Sequence, residues 1–270
     1  MPMLTIQRCA ITCLMVLLLA AGAVACLDRF GKQSRVSGRT GTLRDPDIVK
    51  ELVDDPRGAY RVWKSGGYRG RTVVFIADRW ESFDPGELIP AQMYRAYPLE
   101  LYNTARLLEE EHLDGTTFLY VASMNKIIRK IVAVVPPSEV NRMRQLAPKV
   151  KDSGVSREGV FLSRQGFPRW YTSAANFTGS PEPVLLYVGA SYFRGAEPED
   201  LYRQLSSAGL RTDCVILCNE AGKESVTARE TAKLRRFAGI LGLALPADGT
   251  DGTALSRPRT QTPAPGAPAR

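Results

Sequence analysis

The 270-residue chain contains a single histidine, His112. A metal site built from several histidines is therefore excluded, and a Ser-His-Asp or Cys-His mechanism would have to use that one residue. The sequence has no Gly-x4-Gly-Lys-Ser/Thr loop of the kind that binds phosphate groups, and no Gly-x-Gly-x-x-Gly segment follows a predicted strand. From these absences we expect neither a bound metal nor a nucleotide cofactor.

Cysteine is also scarce outside the start of the chain. Three of the five cysteines precede residue 27, which leaves Cys214 and Cys218 for the remainder. These two fall in one apolar run that is predicted as a strand, where residues four positions apart lie about 13 Å from each other, beyond the reach of a disulfide. We expect two buried free thiols and a fold that its apolar core stabilises.

The positive charge of the chain, +8 overall, is concentrated towards its ends. Residues 27–44 hold five Lys and Arg side chains, and residues 246–270 hold three. The long segment between them is almost neutral, apart from a basic stretch over residues 123–157 that contains no aromatic side chain to stack on a base. We therefore predict that nucleic acid is not a partner of this protein.

The basic stretch itself has two interpretations. Its cations include Lys126, Arg129, Lys130, Arg142 and Arg144. They can form a solvated surface, or they can form a docking surface for anionic lipid or for an acidic partner.

The first 26 residues have the pattern of an export leader. Arg8 precedes an apolar run of about 16 residues, which is short for a membrane span. The segment Ala23-Val24-Ala25-Cys26 then resembles the lipobox of bacterial lipoproteins, although that pattern usually has a larger aliphatic residue where Ala23 stands. The resemblance implies a cleaved signal peptide and a lipid, such as palmitate, on Cys26.

Two alternatives for the leader remain open. Residues 23–25 also fit ordinary signal cleavage. The apolar run is followed by a cluster of cations, namely Arg29, Lys32, Arg35 and Arg39. Such cations tend to stay in the cytoplasm, which favours an uncleaved anchor with the protein facing the cytoplasm. Our leading expectation is a lipoprotein of the cell envelope, anchored to a membrane on the periplasmic side.

Composition divides the chain into four segments. After the leader, residues 27–44 are rich in Gly, Ser, Thr and Arg and are predicted to be a flexible basic tether. Residues 45–245 are long enough for one α/β domain with a sizeable core. Residues 246–270, rich in Pro, Ala and Thr, are predicted to be a disordered tail.

Apolar runs and amphipathic stretches alternate within residues 45–245. The predicted strands are residues 72–77, 117–122, 127–135, 184–188 and 213–218. The predicted helices start at Asp45-Pro46, at Leu99 (ending at His112), at Ser138, at Pro198 and at Thr227. This alternation predicts an α/β fold in which a largely parallel sheet lies between two layers of helices, a three-layer, Rossmann-like architecture. Residues 160–171 are predicted as an inserted β-hairpin that turns at residues 164–166.

Ligands of such folds bind beyond the carboxyl ends of the strands. The candidate binding residues at the predicted strand ends are Asp78, Arg79, Trp80, Ser123, Asn125, Ser191, Tyr192, Asn219 and Glu220. For acid-base catalysis the candidates are Asp78, Glu81 and Lys126, because a carboxylate beside a cation can move protons or hold a polar substrate.

No catalytic motif is complete, so we expect a membrane-tethered binding or assembly component rather than an enzyme. The alternative is an envelope hydrolase or transferase that acts on an anionic polymer or glycan. It would use strand-end carboxylates for the chemistry and Lys126 or Arg79 to hold the substrate.

Overall fold

The computed structural model describes residues 39–79, 109, 113–164, 167–224 and 226–244. Within these residues one sheet contains eight strands: β1 (Val49–Val53), β2 (Arg71–Ile76), β3 (Ile128–Val134), β4 (Asp152–Val155), β5 (Val160–Arg164), β6 (Phe167–Thr172), β7 (Val184–Gly189) and β8 (Thr212–Cys218). The strands lie in the order β1-β8-β7-β2-β3-β6-β5-β4. Only β5 runs against its neighbours in this sheet, so the prediction of a largely parallel sheet is confirmed.

Helices cover both faces of the sheet. They are α1 (Pro56–Ser65), α2 (Phe118–Met124), α3 (Pro137–Leu146), α4 (Pro198–Ser207) and α5 (Ala228–Ile240). On one face, α1 to α3 pack on alternate residues of β2 such as Val73 and Phe75. On the other face, α4 and α5 pack on Val74 and Ile76. Because both faces are buried, β2, β7 and β8 read as unbroken apolar runs, and the three-layer architecture is confirmed.

The helix predicted from Asp45-Pro46 is wrong. Residues 49–53 form the edge strand β1, which pairs with β8, and the Asp45 carboxylate instead accepts a hydrogen bond from the Asp47 amide at 3.0 Å in a turn. The same Asp-Pro signal recurs ten residues later. There Asp55 caps α1 by accepting from the Arg57 amide at 2.7 Å, with Pro56 at the first helical position.

The strand predicted over residues 117–122 is also wrong, because this run forms α2. Its residues from Phe118 to Ala122 are all buried, so the apolar run has no polar face from which a helical period could be recognised. The helix packs on α1, where the rings of Trp63 and Phe118 lie 6.1 Å apart. Strands β2 and β3 are therefore neighbours in the sheet, and α2 packs on its face.

Other local predictions are confirmed. Thr227 and Glu230 form a capping box at the start of α5, and Gly209, with a φ of +63°, follows α4. Strands β5 and β6 form the predicted antiparallel hairpin, whose turn residues 165 and 166 lie outside the described residues. Helix α3 is present, but Pro136 rather than Ser138 occupies its N-cap, and no side chain caps it.

The described structure begins before residue 45. Gly41 bridges the first residue of β8, Thr212, and Leu43 is buried, so the end of the predicted tether packs on the domain. The predicted leader, the tail from residue 246 and the helix over residues 99–112 lie outside the described residues, except for the helical Glu109. None of the described helices combines the length and the apolar character needed to cross a bilayer.

Candidate functional site

The strand order creates a switch point at the centre of the sheet. Strand β2 connects onward to β3 on one side, whereas the adjacent β7 connects to β8 on the other. The two connections leave the carboxyl ends of β2 and β7 in opposite directions, which opens a crevice where α/β folds commonly bind ligands. Residues after β2, β7 and β8 meet at this place.

Lys223 brings three of these residues together. Its ammonium group donates to Asp78 Oδ1 at 2.9 Å, to Ser191 Oγ at 3.3 Å and to Glu220 Oε1 at 3.4 Å. The backbone amide of Ser191 donates to Glu220 Oε2 at 2.7 Å, and the Asp78 amide donates to Ser191 Oγ at 3.3 Å. We call these four residues the Lys223 cluster. The sequence prediction that Asp78, Ser191 and Glu220 share the carboxyl end is met by their contacts.

Two backbone features hold Glu220 in the cluster. Glu220 has a φ of +51°, in the left-handed region that non-glycine residues rarely adopt. Gly189, the last residue of β7, leaves room for its carboxylate, because a Cβ there would lie 2.7 Å from Glu220 Cδ. Glu220 is therefore a buried acid in an unfavourable backbone conformation, packed against a position where only glycine fits. Such a conformation persists only where the surrounding structure fixes it.

The charges of the cluster favour ion pairing over nucleophilic catalysis. Burial opposes ionisation of Asp78, but the hydrogen bond and charge of Lys223 outweigh it, and the pKa of Asp78 is lowered. Each of the three ammonium protons of Lys223 has an acceptor in the cluster, so Lys223 donates to Ser191 and does not accept its proton. Ser191 is completely buried, which keeps a substrate carbonyl away from its hydroxyl.

A cavity of about 340 Å³ opens beside the cluster. Its apolar wall is formed by Phe75 of β2, Tyr187 of β7 and Phe118 of α2. Phe75 and Tyr187 are register partners, and their rings stack with centroids 5.0 Å apart, while Phe118 lies 5.3 Å from Tyr187. The volume lies within the range of small-molecule pockets, and the three rings present a rigid apolar surface.

Tyr187, one of the residues of the cavity wall, carries a buried hydroxyl. Tyr187 is 0% exposed, and no nitrogen or oxygen of the described residues hydrogen-bonds to its hydroxyl, although the Cys218 thiol lies beside it. Burial raises the pKa of Tyr187 well above its ordinary value, and burial likewise raises the pKa of Cys218 to about 12. Both groups therefore stay protonated, and the buried Tyr187 hydroxyl, like that of Ser191, is closed to a ligand.

The polar rim of the cavity contains charges of both signs. Arg57, at the start of α1, makes two hydrogen bonds to Asp55, with Nε–Oδ1 at 3.0 Å and Nη2–Oδ2 at 2.7 Å. Asp114 accepts from the amides of Thr116 and Thr117 at 2.7 and 2.8 Å. These bonds hold the charged groups in fixed positions around the apolar wall, where they can orient the polar substituents of a ligand.

The other predicted residues on this side are placed differently. Arg79 lines the cavity. Asn219 donates to Asp54 at 3.0 Å and joins the ends of β8 and β1. Tyr192 packs against Phe193 on the opposite sheet face, with ring centroids 6.0 Å apart, and Trp80 and Glu81 lie outside the described residues.

The placement of Ser123, Asn125 and Lys126 at the carboxyl end is wrong, because the segment before them is a helix. Ser123 lies within α2, and the Asn125 side chain donates to Val121 O at 2.9 Å near its end. Lys126 O accepts from the amide of Gly70, which precedes β2, so these residues lie at the amino end of the sheet. Lys126 and Asp78 are at opposite ends of parallel strands, and they cannot act on one substrate together.

The structure also separates the predicted basic residues. Arg142 pairs with Glu139 on α3 at 2.8 Å, and Arg144 donates to backbone oxygens of Ser156 and Arg157. Lys126, Arg129 and Lys130 instead lie where β3 begins, and Arg129 forms an ion pair with Glu182.

The residues of the cavity wall are not among the residues that the sequence pattern predicts for the site. Phe75 and Tyr187 lie inside strands and Phe118 inside a helix, so their apolar character alone indicates core. Phe75 and Tyr187 lie at matching positions near the carboxyl ends of β2 and β7. This position indicates the cavity wall only when the two strands are known to be neighbours.

No group of three His, Cys, Asp or Glu side chains in the described part of the chain is arranged to hold a metal ion. Comparison of the chain with protein-family models, with curated proteins and with solved structures finds no match.

Proposed function

We propose that the protein is a binding component that takes a small molecule with a planar ring into the cavity at the switch point. The observation that carries the proposal is the cavity of about 340 Å³, in which a wall of three packed aromatic rings meets a rim of charged groups that hydrogen bonds hold in place. A rigid aromatic wall favours a planar ring, and fixed charges at the rim can orient its polar substituents.

The cavity wall and rim define the chemistry of the ligand. Phe75, Phe118 and Tyr187 offer ring contacts, each of which is worth about 0.5–1.5 kcal/mol beyond buried area. The rim carries Arg57, Arg79 and Lys223 together with three carboxylates, Asp55, Asp114 and Glu220. This balance of charge suits a neutral or zwitterionic small molecule and disfavours the anionic polymer that the enzymatic alternative requires.

The binding test uses ligand-observed NMR with the full chain and three probes that share one ring system, namely indole-3-acetate, tryptamine and L-tryptophan. A Phe in place of Gly115 should block the cavity, because a Cβ there points towards Pro56 at 3.6 Å across the exposed rim. Gly239→Phe is the matched control, since Gly239 has open space around it on α5.

We expect at least one probe to bind with a Kd near or below about 1 mM, which is the range of small fragments. Binding should be lost in Gly115→Phe and kept in Gly239→Phe. If no probe binds, or if Gly115→Phe binds as well as Gly239→Phe, the cavity is not a ligand site.

The binding domain is proposed to be tethered to the envelope membrane through a lipid on Cys26. The support is the leader pattern and the 12 residues that separate Cys26 from Arg39, the first described residue. In a bacterial host fed a fatty-acid analogue, wild-type protein should be labelled and Cys26→Ala should not. An unlabelled protein that stays in the membrane with its N-terminus intact would establish the cytoplasm-facing anchor instead.

A further inference from the structure

The amino end of the sheet carries a row of exposed cations. Arg69 precedes β2, Lys126 precedes β3 and Arg211 precedes β8, while Arg129 and Lys130 lie at the start of β3. We call these five residues the amino edge. They lie together because β8, β7, β2 and β3 are adjacent parallel strands, whose amino ends share one side of the sheet.

Most of this charge has no counter-charge. Arg129 pairs with Glu182, the exposed acid that precedes β7. Lys126, Lys130 and Arg211 have no ion-pair partner in the part of the chain that the structure describes. The register between β2 and β3 shifts so that Arg129 is passed over, and this bulge leaves Arg129 and Lys130 both exposed on consecutive positions.

The chain enters the domain at the same edge. Gly41 exchanges two backbone hydrogen bonds with Thr212, the first residue of β8, at 3.1 and 3.0 Å. Thr40 donates to Asp213 Oδ1 at 2.5 Å, so the first described residues are held at this edge. From Arg39 to Cys26 the covalent chain can span at most about 45 Å.

We infer that the amino edge docks on an anionic lipid surface, so that the switch-point cavity faces away from the membrane. The inference uses the membrane attachment of the proposed function but not the ligand. Cations within a Debye length of about 8–10 Å of anionic lipid are attracted to it, and the attachment keeps this edge close. Strands of six residues place the carboxyl end about 20 Å farther out, where a ligand has free access.

The test compares hydrogen exchange of the full chain in two kinds of lipid nanodisc. One disc contains phosphatidylcholine only, and the other contains phosphatidylcholine with phosphatidylglycerol. We expect the amino-edge turns, residues 66–70, 123–127 and 209–211, to exchange more slowly in the anionic disc. The loops at the carboxyl end, residues 54–57 and 219–224, should exchange equally in both discs.

A triple variant isolates the charge of the edge. Lys126→Gln, Lys130→Gln and Arg211→Gln together should shift the docking equilibrium about 100-fold, since each cation near such a surface changes it about fivefold. The control is Arg61→Gln, Arg203→Gln and Arg229→Gln, which removes the same charge from exposed helix positions and should keep the protection. Salt at about 0.5 M should abolish the protection by screening.

Each outcome has one meaning. Retention of the chain in neutral discs tests the membrane attachment, and protection in anionic discs tests the docking, so the two failures are distinguishable. Equal exchange in both discs would overturn the inference, as would loss of protection in the control triple variant. Heparin added to the neutral discs is the control for a soluble polyanion. If heparin slowed exchange of the amino-edge turns as much as the anionic discs do, the surface would be assigned to a soluble polyanion and the inference would be overturned.

Discussion

The two ends of the sheet hold charge in different ways. At the carboxyl end the Lys223 cluster is buried or half-buried, and its charged groups are fixed by hydrogen bonds. At the amino end the cations are exposed, and Lys126, Lys130 and Arg211 have no ionic partner among the described residues. Charge that is internally satisfied fixes a shape, whereas charge that is left exposed remains available to a partner.

A shared backbone feature makes this comparison testable. Within the described residues two non-glycine residues have a positive φ, namely Glu220 at the carboxyl end and Lys126 at the amino end. This conformation costs each of them about 1 kcal/mol relative to glycine. Glu220 recovers the cost through the hydrogen bonds of its carboxylate, but the Lys126 side chain makes no hydrogen bond or ion pair within the described structure.

The largest effect is expected from Glu220→Ala. The change leaves the buried Ser191 amide without its acceptor and removes one acceptor from Lys223, so the free energy of unfolding should fall by about 3 kcal/mol. Glu220→Gly loses the same bonds but relieves the backbone, and it should be about 1 kcal/mol more stable than the Ala variant. Urea unfolding measures both, with the exposed Glu224→Ala as control.

If Glu220→Ala were as stable as Glu224→Ala, the cluster would not hold the carboxyl end together. If the Gly variant gained nothing over the Ala variant, the positive φ of Glu220 would carry no strain.

An intermediate effect is expected from the pH dependence of Asp78. Because the pKa of Asp78 is lowered in the folded state, its contribution is complete above the unfolded pKa of about 3.9 and is lost as the pH falls through the folded value. At pH 7, Asp78→Asn should lower the free energy of unfolding by about 1–2 kcal/mol. The difference from wild type should shrink when urea unfolding is repeated near pH 3 or below.

Other carboxylates with lowered pKa values, such as Asp55 and Asp114, also titrate in that range, so only the difference between the two proteins reports on Asp78. Asp200→Asn, on the exposed surface of α4, is the control. A difference between wild type and Asp78→Asn that stays constant from pH 7 to pH 3 would contradict the ion-pair assignment.

Much of the fold was predictable because burial on both faces makes strands legible. The runs at β2, β7 and β8 were read correctly for this reason. An unbroken apolar run also predicted a strand at α2, and there the prediction is wrong. Phe118 to Ala122 are all buried, so this short run shows no alternation of apolar and polar residues that would distinguish a helix from a strand. One Asp-Pro pair stands before β1 and another after it, and the helix was predicted at the first, Asp45-Pro46. The helix α1 begins at the second of these pairs, Asp55-Pro56.

The candidate site was predictable in its polar part only. Asp78, Ser191 and Glu220 follow strands, and the rule about carboxyl ends brought them together. The cavity depends on β2 and β7 being neighbours, because only then do Phe75 and Tyr187 stack. Strand order is set by long-range packing, which neither composition nor spacing along the chain encodes.

The smallest effect on stability is expected from Lys126→Gly, and its sign is opposite to that of the other changes. Glycine adopts a φ of +58° without steric cost, so the free energy of unfolding should rise by up to about 1 kcal/mol. The same change removes one cation from the amino edge, and docking on anionic nanodiscs should weaken about fivefold. Urea unfolding and hydrogen exchange measure the two effects on one variant.

A gain in stability with a loss of docking would show that lysine at this position serves the surface at the expense of the fold. A loss of stability would instead mean that the Lys126 side chain supports its own turn, and the contrast between the two ends of the sheet would no longer hold.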